Sequence, residues 1–141
     1  MIKFRAWVKE SKKMIHVGSI DLANKVIYYS YWQQSEEGNN LFGDAITFDE
    51  TVLMQSTGLF DTNGKEIFEG DVVKCCRLFN DSLSEYVGQV KFVDFGWNIV
   101  DKADTHDPFY NYKDGFPDEI REIEVIGNIY QNSDLLESVE E

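Results

Sequence analysis

Residues that build crosslinks and metal centres are scarce in this chain of 141 residues. Its two cysteines, Cys75 and Cys76, are neighbours, and its two histidines are His16 and His106. Adjacent cysteines cannot form an unstrained disulfide, and two thiols alone make no structural zinc site. Neighbours on a strand point to opposite faces, so we expect one thiol to be buried and the other exposed. Reduced thiols are typical of a cytoplasmic protein.

Long hydrophobic runs and catalytic signatures are also missing. No apolar run approaches the roughly 20 residues of a membrane span, and the first five residues lack the apolar segment of a signal peptide. The sequence has no G-x-S-x-G, no Cys–His signature, no H-E-x-x-H and no glycine-rich phosphate loop. We therefore expect no membrane contact, no enzymatic activity, no catalytic residues, and no bound cofactor or metal.

Basic residues are half as frequent as acidic ones, 13 against 26, which gives a formal net charge of -13. This balance excludes a generally basic protein that coats nucleic acid. Residues 1–30 nevertheless hold six Lys and Arg against two acids, whereas residues 31–141 carry a net charge of -17. The asymmetry predicts a basic hairpin against an acidic body, or two solvated charged faces.

Apolar residues alternate with polar ones along most of the chain, which is the period of a β-strand. In residues 2–9 the alternation places Ile2, Phe4, Ala6 and Val8 on one face, and Lys3, Arg5, Trp7 and Lys9 on the other. Residues 26–32 are β-branched and aromatic, and about five short strands separated by Gly, Asp and Asn turns follow between 52 and 130. We predict a mainly β fold with N-terminal β-hairpins and a small C-terminal SH3-like, partly open barrel.

Polar segments predict the loops and the domain boundary. Residues 33–40 are interpreted as a disordered loop, and residues 101–119, which hold both prolines, as a long irregular acidic loop. A short C-terminal helix is predicted at 134–138, where Asn132 or Ser133 could form the N-cap. The predicted domains are an N-terminal β-hairpin region, residues 1–50, which is a candidate oligomerisation arm, and a barrel-like domain, residues 51–141.

One part of the acidic loop has the residue types of a cation site. Asp101, Asp104, His106 and Asp107 place three carboxylates and an imidazole within seven residues. Carboxylate-rich loops can hold calcium or another divalent ion. The spacing does not match the EF-hand pattern, and acidic surface loops are common. We therefore interpret this segment as a solvated loop without a metal.

An aromatic group lies close in sequence to the N-terminal bases. Its members are Trp7, Tyr28, Tyr29, Tyr31 and Trp32. Aromatic rings beside positive charge could stack nucleobases, but aromatics also dominate cores and subunit interfaces. The net charge of -17 on residues 31–141 would repel phosphate. We favour packing in the core and between subunits.

Four segments stand in a distinctive order along the chain. They are Lys3-Phe4-Arg5-Ala6-Trp7; Leu53-Met54-Gln55-Ser56-Thr57-Gly58-Leu59; the run from Asp61 to Val73; and Glu124-Val125-Ile126-Gly127-Asn128-Ile129-Tyr130. Over nearly the whole chain, this set resembles the YopX family of phage and prophage proteins. The resemblance implies a mostly β protein that is encoded by a phage or prophage, acts in the bacterial cytoplasm and is often oligomeric. It implies no reaction and no catalytic residues.

The shared residues themselves favour a structural role. Glycines at turns and strand edges permit tight bends, and Gly64 and Gly70 are at such places. Asp61 and Asp71, beside them, could accept hydrogen bonds from backbone amides in those turns.

The leading hypothesis is a non-enzymatic phage or prophage protein that acts through protein–protein contacts. The N-terminal hairpin and its aromatics would mediate homo-oligomer formation, and a host or phage protein is a further candidate partner. Nucleic-acid binding through residues 1–32 is the first alternative. An acidic decoy that occupies the basic surface of a host DNA-binding protein is the second, because residues 31–141 have the required charge.

Overall fold

The computed structural model describes residues 3–112 and 119–132. Its strands pair antiparallel, which confirms the predicted mainly β class. The chain divides into two compact units, Met1–Gln55 and Ser56–Glu141, called unit 1 and unit 2 below. The domain boundary after residue 50 stays a prediction, and the predicted helix at 134–138 lies outside the described residues.

Unit 1 is built from hairpins. Its first strand is central: β1 pairs with β2 on one side and with residues 51–55 of β6 on the other. A second set pairs in the order β3-β4-β5. The strands are β1 (Phe4–Val8), β2 (Lys13–His16), β3 (Ser19–Asp21), β4 (Val26–Ser35), β5 (Gly38–Thr47) and the start of β6 (Thr51–Phe60).

The β1 strand is buried on both faces. Ala6 is fully buried, and Arg5 and Trp7 are only 8% and 9% exposed. Trp7 is thus packed in the protein interior, as favoured for the aromatic group, and Arg5 on the same face is buried with it. Alternation predicted one covered face, but a central strand can be covered on both.

Residues 33–40 are not a disordered loop, and that prediction is wrong. The β4 strand continues to Ser35, and β5 starts at Gly38, so only Glu36 and Glu37 form the turn. Gly38 has a φ of +112°, which a residue without Cβ adopts at low cost. The polar composition that indicated a loop is that of strands exposed on both faces.

Unit 2 contains one five-stranded sheet in the order β11-β10-β9-β8-β12. It curls into a half-barrel, and its core holds Ile67, Val73, Cys75, Val90, Ile99, Phe109, Ile120 and Ile123. The strands of unit 2, besides the end of β6, are β7 (Glu66–Phe68), β8 (Asp71–Phe79), β9 (Ser82–Val93), β10 (Gly96–Asp101), β11 (His106–Pro108) and β12 (Glu119–Asn128).

Two aspartates that the sequence singled out hold turns of unit 2 through hydrogen bonds to backbone amides. Asp61 accepts hydrogen bonds from the amides of Asn63 and Lys65, at 2.9 and 2.8 Å, and from Val125 at 3.0 Å. Asp71 is 1% exposed and accepts a hydrogen bond from the amide of Phe68 at 2.8 Å. The predicted structural role of these aspartates is confirmed.

Of the predicted irregular loop at 101–119, residues 113–118 lie outside the described residues, and residues 101–112 contain regular structure. Asp101 ends β10, His106–Pro108 form β11, and Phe109–Asn111 form a 3-10 turn. A bridge then pairs Tyr112 with Ile120. The short β11 was missed because three residues are too few to show a period. In the part of the chain that the structure describes, no helix is long and apolar enough to cross a membrane.

Candidate functional site

The hairpin of β4 and β5, called the arm below, is the most exposed apolar feature of unit 1. Every residue from Ser30 to Ala45 is exposed. The large side chains with their exposed fractions are Tyr28 46%, Tyr31 41%, Trp32 69%, Leu41 57% and Phe42 41%. Large exposed apolar patches on protein surfaces usually mark sites of interaction with another molecule.

The arm carries apolar side chains on both faces. Tyr31 pairs with Phe42 across the strands, and their rings stack with centroids 5.8 Å apart. Trp32 pairs with Leu41, one position along, and therefore on the opposite face. Two strands alone are marginally stable in water. The base of the arm, at Tyr28–Trp32 and Leu41–Phe42, thus has large apolar side chains on both faces that no other described residue covers.

Charge on the arm is sparse and negative. Between residues 26 and 47 the ionisable side chains other than tyrosine are Glu36, Glu37 and Asp44. The N-terminal bases lie elsewhere in the sequence: Lys12 is on the β1–β2 turn, and Lys25 precedes β4. Of the predicted aromatic group, Tyr28, Tyr31 and Trp32 are exposed on the arm, Tyr29 is half-buried, and Trp7 is buried.

The four residues of the candidate cation site do not converge. Asp104 and His106 contact each other, with Oδ1 and Nε2 at 3.2 Å. Asp101 accepts a hydrogen bond from the amide of Thr105 at 2.8 Å. Asp107 is buried and belongs to a different network. Among residues 3–112 and 119–132, no group of three or more His, Cys, Asp or Glu is placed to hold a metal ion.

The network around Asp107 is the main buried polar cluster of unit 2. Arg77 binds both carboxylate oxygens of Asp107, at 3.0 and 3.1 Å. The hydroxyl of Tyr86 donates to Asp107 at 2.5 Å, and the side-chain amide of Asn111 donates at 3.2 Å. Both carboxylate oxygens are therefore occupied by donors within the protein.

A cleft of about 280 Å³ opens over this network. Its lining residues are Arg77, Tyr86, Asp101, Thr105, His106 and Asp107. Burial, with the neighbouring thiol of Cys75 and the carboxylate of Asp107, raises the pKa of Tyr86. The hydroxyl of Tyr86 donates to Asp107, and together with Arg77 and Asn111 it completes a hydrogen-bonded network around that carboxylate.

The two cysteines separate as alternation predicts. Cys75 is fully buried in the core and Cys76 is half-buried. Burial raises the pKa of Cys75 to about 12. Cys76 lines a cleft of about 230 Å³ on the other face of the sheet, with Glu85 and Glu122 paired beside it on the two neighbouring strands.

One turn in unit 2 is strained. Asp94 and Phe95 connect β9 to β10 with φ values of +51° and +65°. A bulky side chain rarely takes this conformation, and Phe95 is 98% exposed. Asn98, which is buried, braces the turn by donating to the carbonyls of Val93 and Gly96, both at 3.2 Å. Nothing in the local sequence predicts this strain, because Phe is not a residue that favours positive φ.

Two solved structures are similar to this chain over almost its full length. Protein EF1440 from Enterococcus faecalis has 29% sequence identity and a TM-score of 0.59, with 96% of this chain and 98% of that chain covered. The protein yopX from Bacillus subtilis has 21% identity and a TM-score of 0.53, with 98% of each chain covered, and supports the fold alone. A comparison with curated proteins found no match. The YopX protein family model matches residues 3–137, and the chain therefore belongs to the YopX family.

Proposed function

We propose that this protein is a non-enzymatic phage or prophage protein of the bacterial cytoplasm that acts through protein–protein contacts, and that the arm joins copies of the chain. The phage origin and the compartment rest on the family resemblance and on the two free thiols. One observation supports self-association most strongly: both faces of the two-stranded arm expose large apolar side chains. Trp32 and Leu41 are exposed on one face, and Tyr31 stacks on Phe42 on the opposite face.

The exposed apolar area of the arm fits an interface of ordinary size. Large apolar side chains offer about 150–250 Å² each, and the five large side chains of the arm are 41% to 69% exposed. Together they present on the order of 500 Å² per copy. Because Tyr28, Trp32 and Leu41 lie on one face and Tyr31 and Phe42 on the other, contacts between two arms reach the roughly 1,200–2,000 Å² of specific interfaces only if the strand edge and the flanking polar residues are buried as well.

Sedimentation velocity with matched variants tests this proposal. Trp32→Ser removes the most exposed apolar side chain of the arm, and Tyr110→Ser removes a 76% exposed ring of unit 2 as the control. We expect the wild type and Tyr110→Ser to associate with the same dissociation constant, and Trp32→Ser to associate at least 10-fold more weakly, because buried aromatics dominate interface energies. Equal weakening by both substitutions would contradict the role of the arm.

The arm is a poor match for nucleic acid. Tyr31 and Trp32 could stack bases, but between residues 26 and 47 the charges are three acids and no base. Phosphate contacts would also weaken strongly with salt. Arm association is apolar and should persist at 1 M NaCl, whereas DNA binding through residues 1–32 would be lost.

A basic host or phage protein is a second candidate partner, favoured by one acidic face of unit 2. Residues 56–141 contain 19 acids against 7 bases. Glu85 and Glu122 flank Cys76 on adjacent strands, and Glu124 lies beside Lys74. If this face works as a decoy, Glu85→Gln with Glu122→Gln should weaken capture of a host DNA-binding protein, while Trp32→Ser should leave it unchanged.

We also infer that unit 2 is an opened SH3-like barrel. Its sheet is small and strongly bent, and β12 has register shifts between Ile120 and Glu122 and between Val125 and Gly127. Such irregularities bend a strand and let a short sheet curl. The Gly70-Asp71 entry to β8 supports this reading, since Gly70 has a φ of +88° at a sharp strand entry.

A further inference from the structure

The outer edge of β5 is long and regular. Among the strands that the structure describes, β5 pairs with β4 alone. The pairing runs through all ten residues of Gly38–Thr47 without a register shift. A strand edge presents a row of amide and carbonyl groups that can pair with another strand.

Two side-chain contacts show which amides of β5 face outward. The amide of Ala45 donates to the carboxylate of Asp44 at 2.8 Å, and the amide of Thr47 donates to Glu50 at 3.1 Å. Both amides are therefore turned away from β4. Because amide direction alternates along an antiparallel strand, the amides of Asn39, Leu41 and Gly43 face outward as well.

On a comparable edge in unit 2 the outward amides have partners, whereas most of the β5 edge is uncovered among the residues that the structure describes. On β12 the amides of Ile123 and Val125 donate to Thr62 and Asp61, both at 3.0 Å. On β5 the two carboxylates cover only the end near Thr47. Residues 38–43 contain no Lys, Arg or Pro, which are the residues that usually blunt an edge strand.

We propose that the β5 edges of two copies pair antiparallel across Asn39–Gly43, around a two-fold axis at Leu41. This inference rests on the proposed self-association through the arm and specifies its geometry. The result is one continuous four-stranded sheet, β4-β5-β5-β4. Three outward amides per copy find acceptors, and the pairing is self-complementary, as a two-fold interface requires.

The proposed register also suits the side chains. With the axis at Leu41, Asn39 lies opposite Gly43 of the second copy, and Asp44 lies opposite Gly38 rather than opposite another Asp44. Like charges directly opposite one another destabilise a sheet, and this register avoids them. The two-fold axis then places the Trp32–Leu41 pairs of both copies side by side on one face of the sheet, and the Tyr31–Phe42 pairs of both copies on the opposite face.

Disulfide trapping tests the axis. In a Cys76→Ser background, the remaining native thiol, Cys75, is buried. Under the proposal, residue 41 of one copy lies directly opposite residue 41 of the second copy, and their Cα atoms are about 5.5 Å apart. Leu41→Cys therefore brings two thiols within the range of a disulfide. Ser30→Cys, on β4, is the control. In the proposed sheet the two β4 strands are separated by three strand spacings of about 4.8 Å each, which is too far for a disulfide. We expect Leu41→Cys to form a covalent dimer at least 10-fold faster; equal rates would overturn the inference.

A proline variant separates this inference from the proposed function. Gly43→Pro removes one outward amide without removing a bond to β4, and Gly43→Ala is the matched control, with only the carbonyl of Tyr29 at 3.9 Å near the added Cβ. We expect Gly43→Pro to weaken association at least 10-fold relative to Gly43→Ala. If the two variants associate equally while Trp32→Ser does not associate, the arm joins copies but not by edge pairing. If the wild type is a monomer at all concentrations, both proposals are wrong.

Discussion

The guanidinium group of Arg77 on β8 holds both carboxylate oxygens of Asp107 on β11, with nitrogen–oxygen distances of 3.0 and 3.1 Å. The two side chains are 19% and 10% exposed. Tyr86 and Asn111 complete the contacts of the carboxylate. A strand of three residues has little pairing of its own, so this network fastens β11 to the β8–β9 hairpin.

Asp107→Asn should therefore destabilise the protein substantially. Removing one partner of a largely buried ion pair costs about 3–5 kcal/mol, and partial exposure reduces this to about 2–3 kcal/mol. Glu85→Gln is the control, because it breaks the exposed Lys74–Glu85 pair, whose side chains are 48% and 63% exposed, at a cost below about 0.5 kcal/mol. Urea unfolding measures both free energies. Similar midpoint shifts for the two variants would show that the Asp107 network does not fasten the sheet.

Gly88 and Gly96 give a matched pair of glycine substitutions. A Cβ on Gly88 would lie 2.6 Å from Cγ2 of Ile99 and 3.0 Å from the carbonyl oxygen of Val100, whereas a Cβ on Gly96 would meet nothing within 4 Å. We expect Gly88→Ala to lower the free energy of unfolding by about 1–3 kcal/mol. Gly96→Ala should be neutral or stabilising by up to about 1 kcal/mol. Thermal unfolding of the two variants tests whether Gly88→Ala is the less stable one. A higher stability of Gly88→Ala than of Gly96→Ala would contradict the prediction.

Phe95→Gly should stabilise unit 2. Phe95 has a φ of +65° and is 98% exposed, so replacing it relieves strain and loses almost no packing. The left-handed conformation costs a bulky residue about 1–2 kcal/mol, and the greater freedom of glycine in the unfolded chain offsets part of this gain. We expect a net gain of about 0.5–1 kcal/mol in urea unfolding. A loss of stability would mean that the Phe95 ring has a contact worth more than its strain.

Alkaline pH should destabilise the fold through Cys75. Burial raises the pKa of this thiol from 9.0 to about 12, so above pH 9 the unfolded chain loses a proton that the folded chain retains. The stabilising contribution is complete below pH 9 and is lost as the pH rises toward 12, at up to about 1.4 kcal/mol per pH unit. Unfolding free energies at pH 8, 9 and 10 measure the slope. Cys75→Ala should be less stable at pH 8 but have a shallower slope, and an unchanged slope would exclude Cys75 as its source.

Much of unit 2 could be predicted from sequence because its turns have strong local chemistry. The turn at Asp61 and Gly64 and the start of β8 at Gly70-Asp71 were identified from residue type. In the structure, backbone amides donate hydrogen bonds to the carboxylates of both aspartates. The Asp107 network was not predictable in the same way. Arg77 and Asp107 are 30 residues apart, and no local pattern links them.

The arm was mispredicted at its tip for a physical reason. A strand pattern is visible when one face is apolar and the other polar. From Gln33 to Asn40 both faces are polar, so the period disappears although the strands continue. The alternation in β1 did not reveal that the face of Arg5 and Trp7 is covered as well as the face of Ala6, because a period of two distinguishes the two faces but does not show how deeply each is buried.

The molar mass in solution tests the central claim, arm-mediated association, most directly. Multi-angle light scattering on the wild-type chain, over a 100-fold concentration range and in both 0.1 M and 1 M NaCl, distinguishes apolar association from charge-driven contacts. We expect the mass to rise from 16.3 kDa to at least twice that value, with little change at high salt. A constant mass of 16.3 kDa at every concentration would contradict the account.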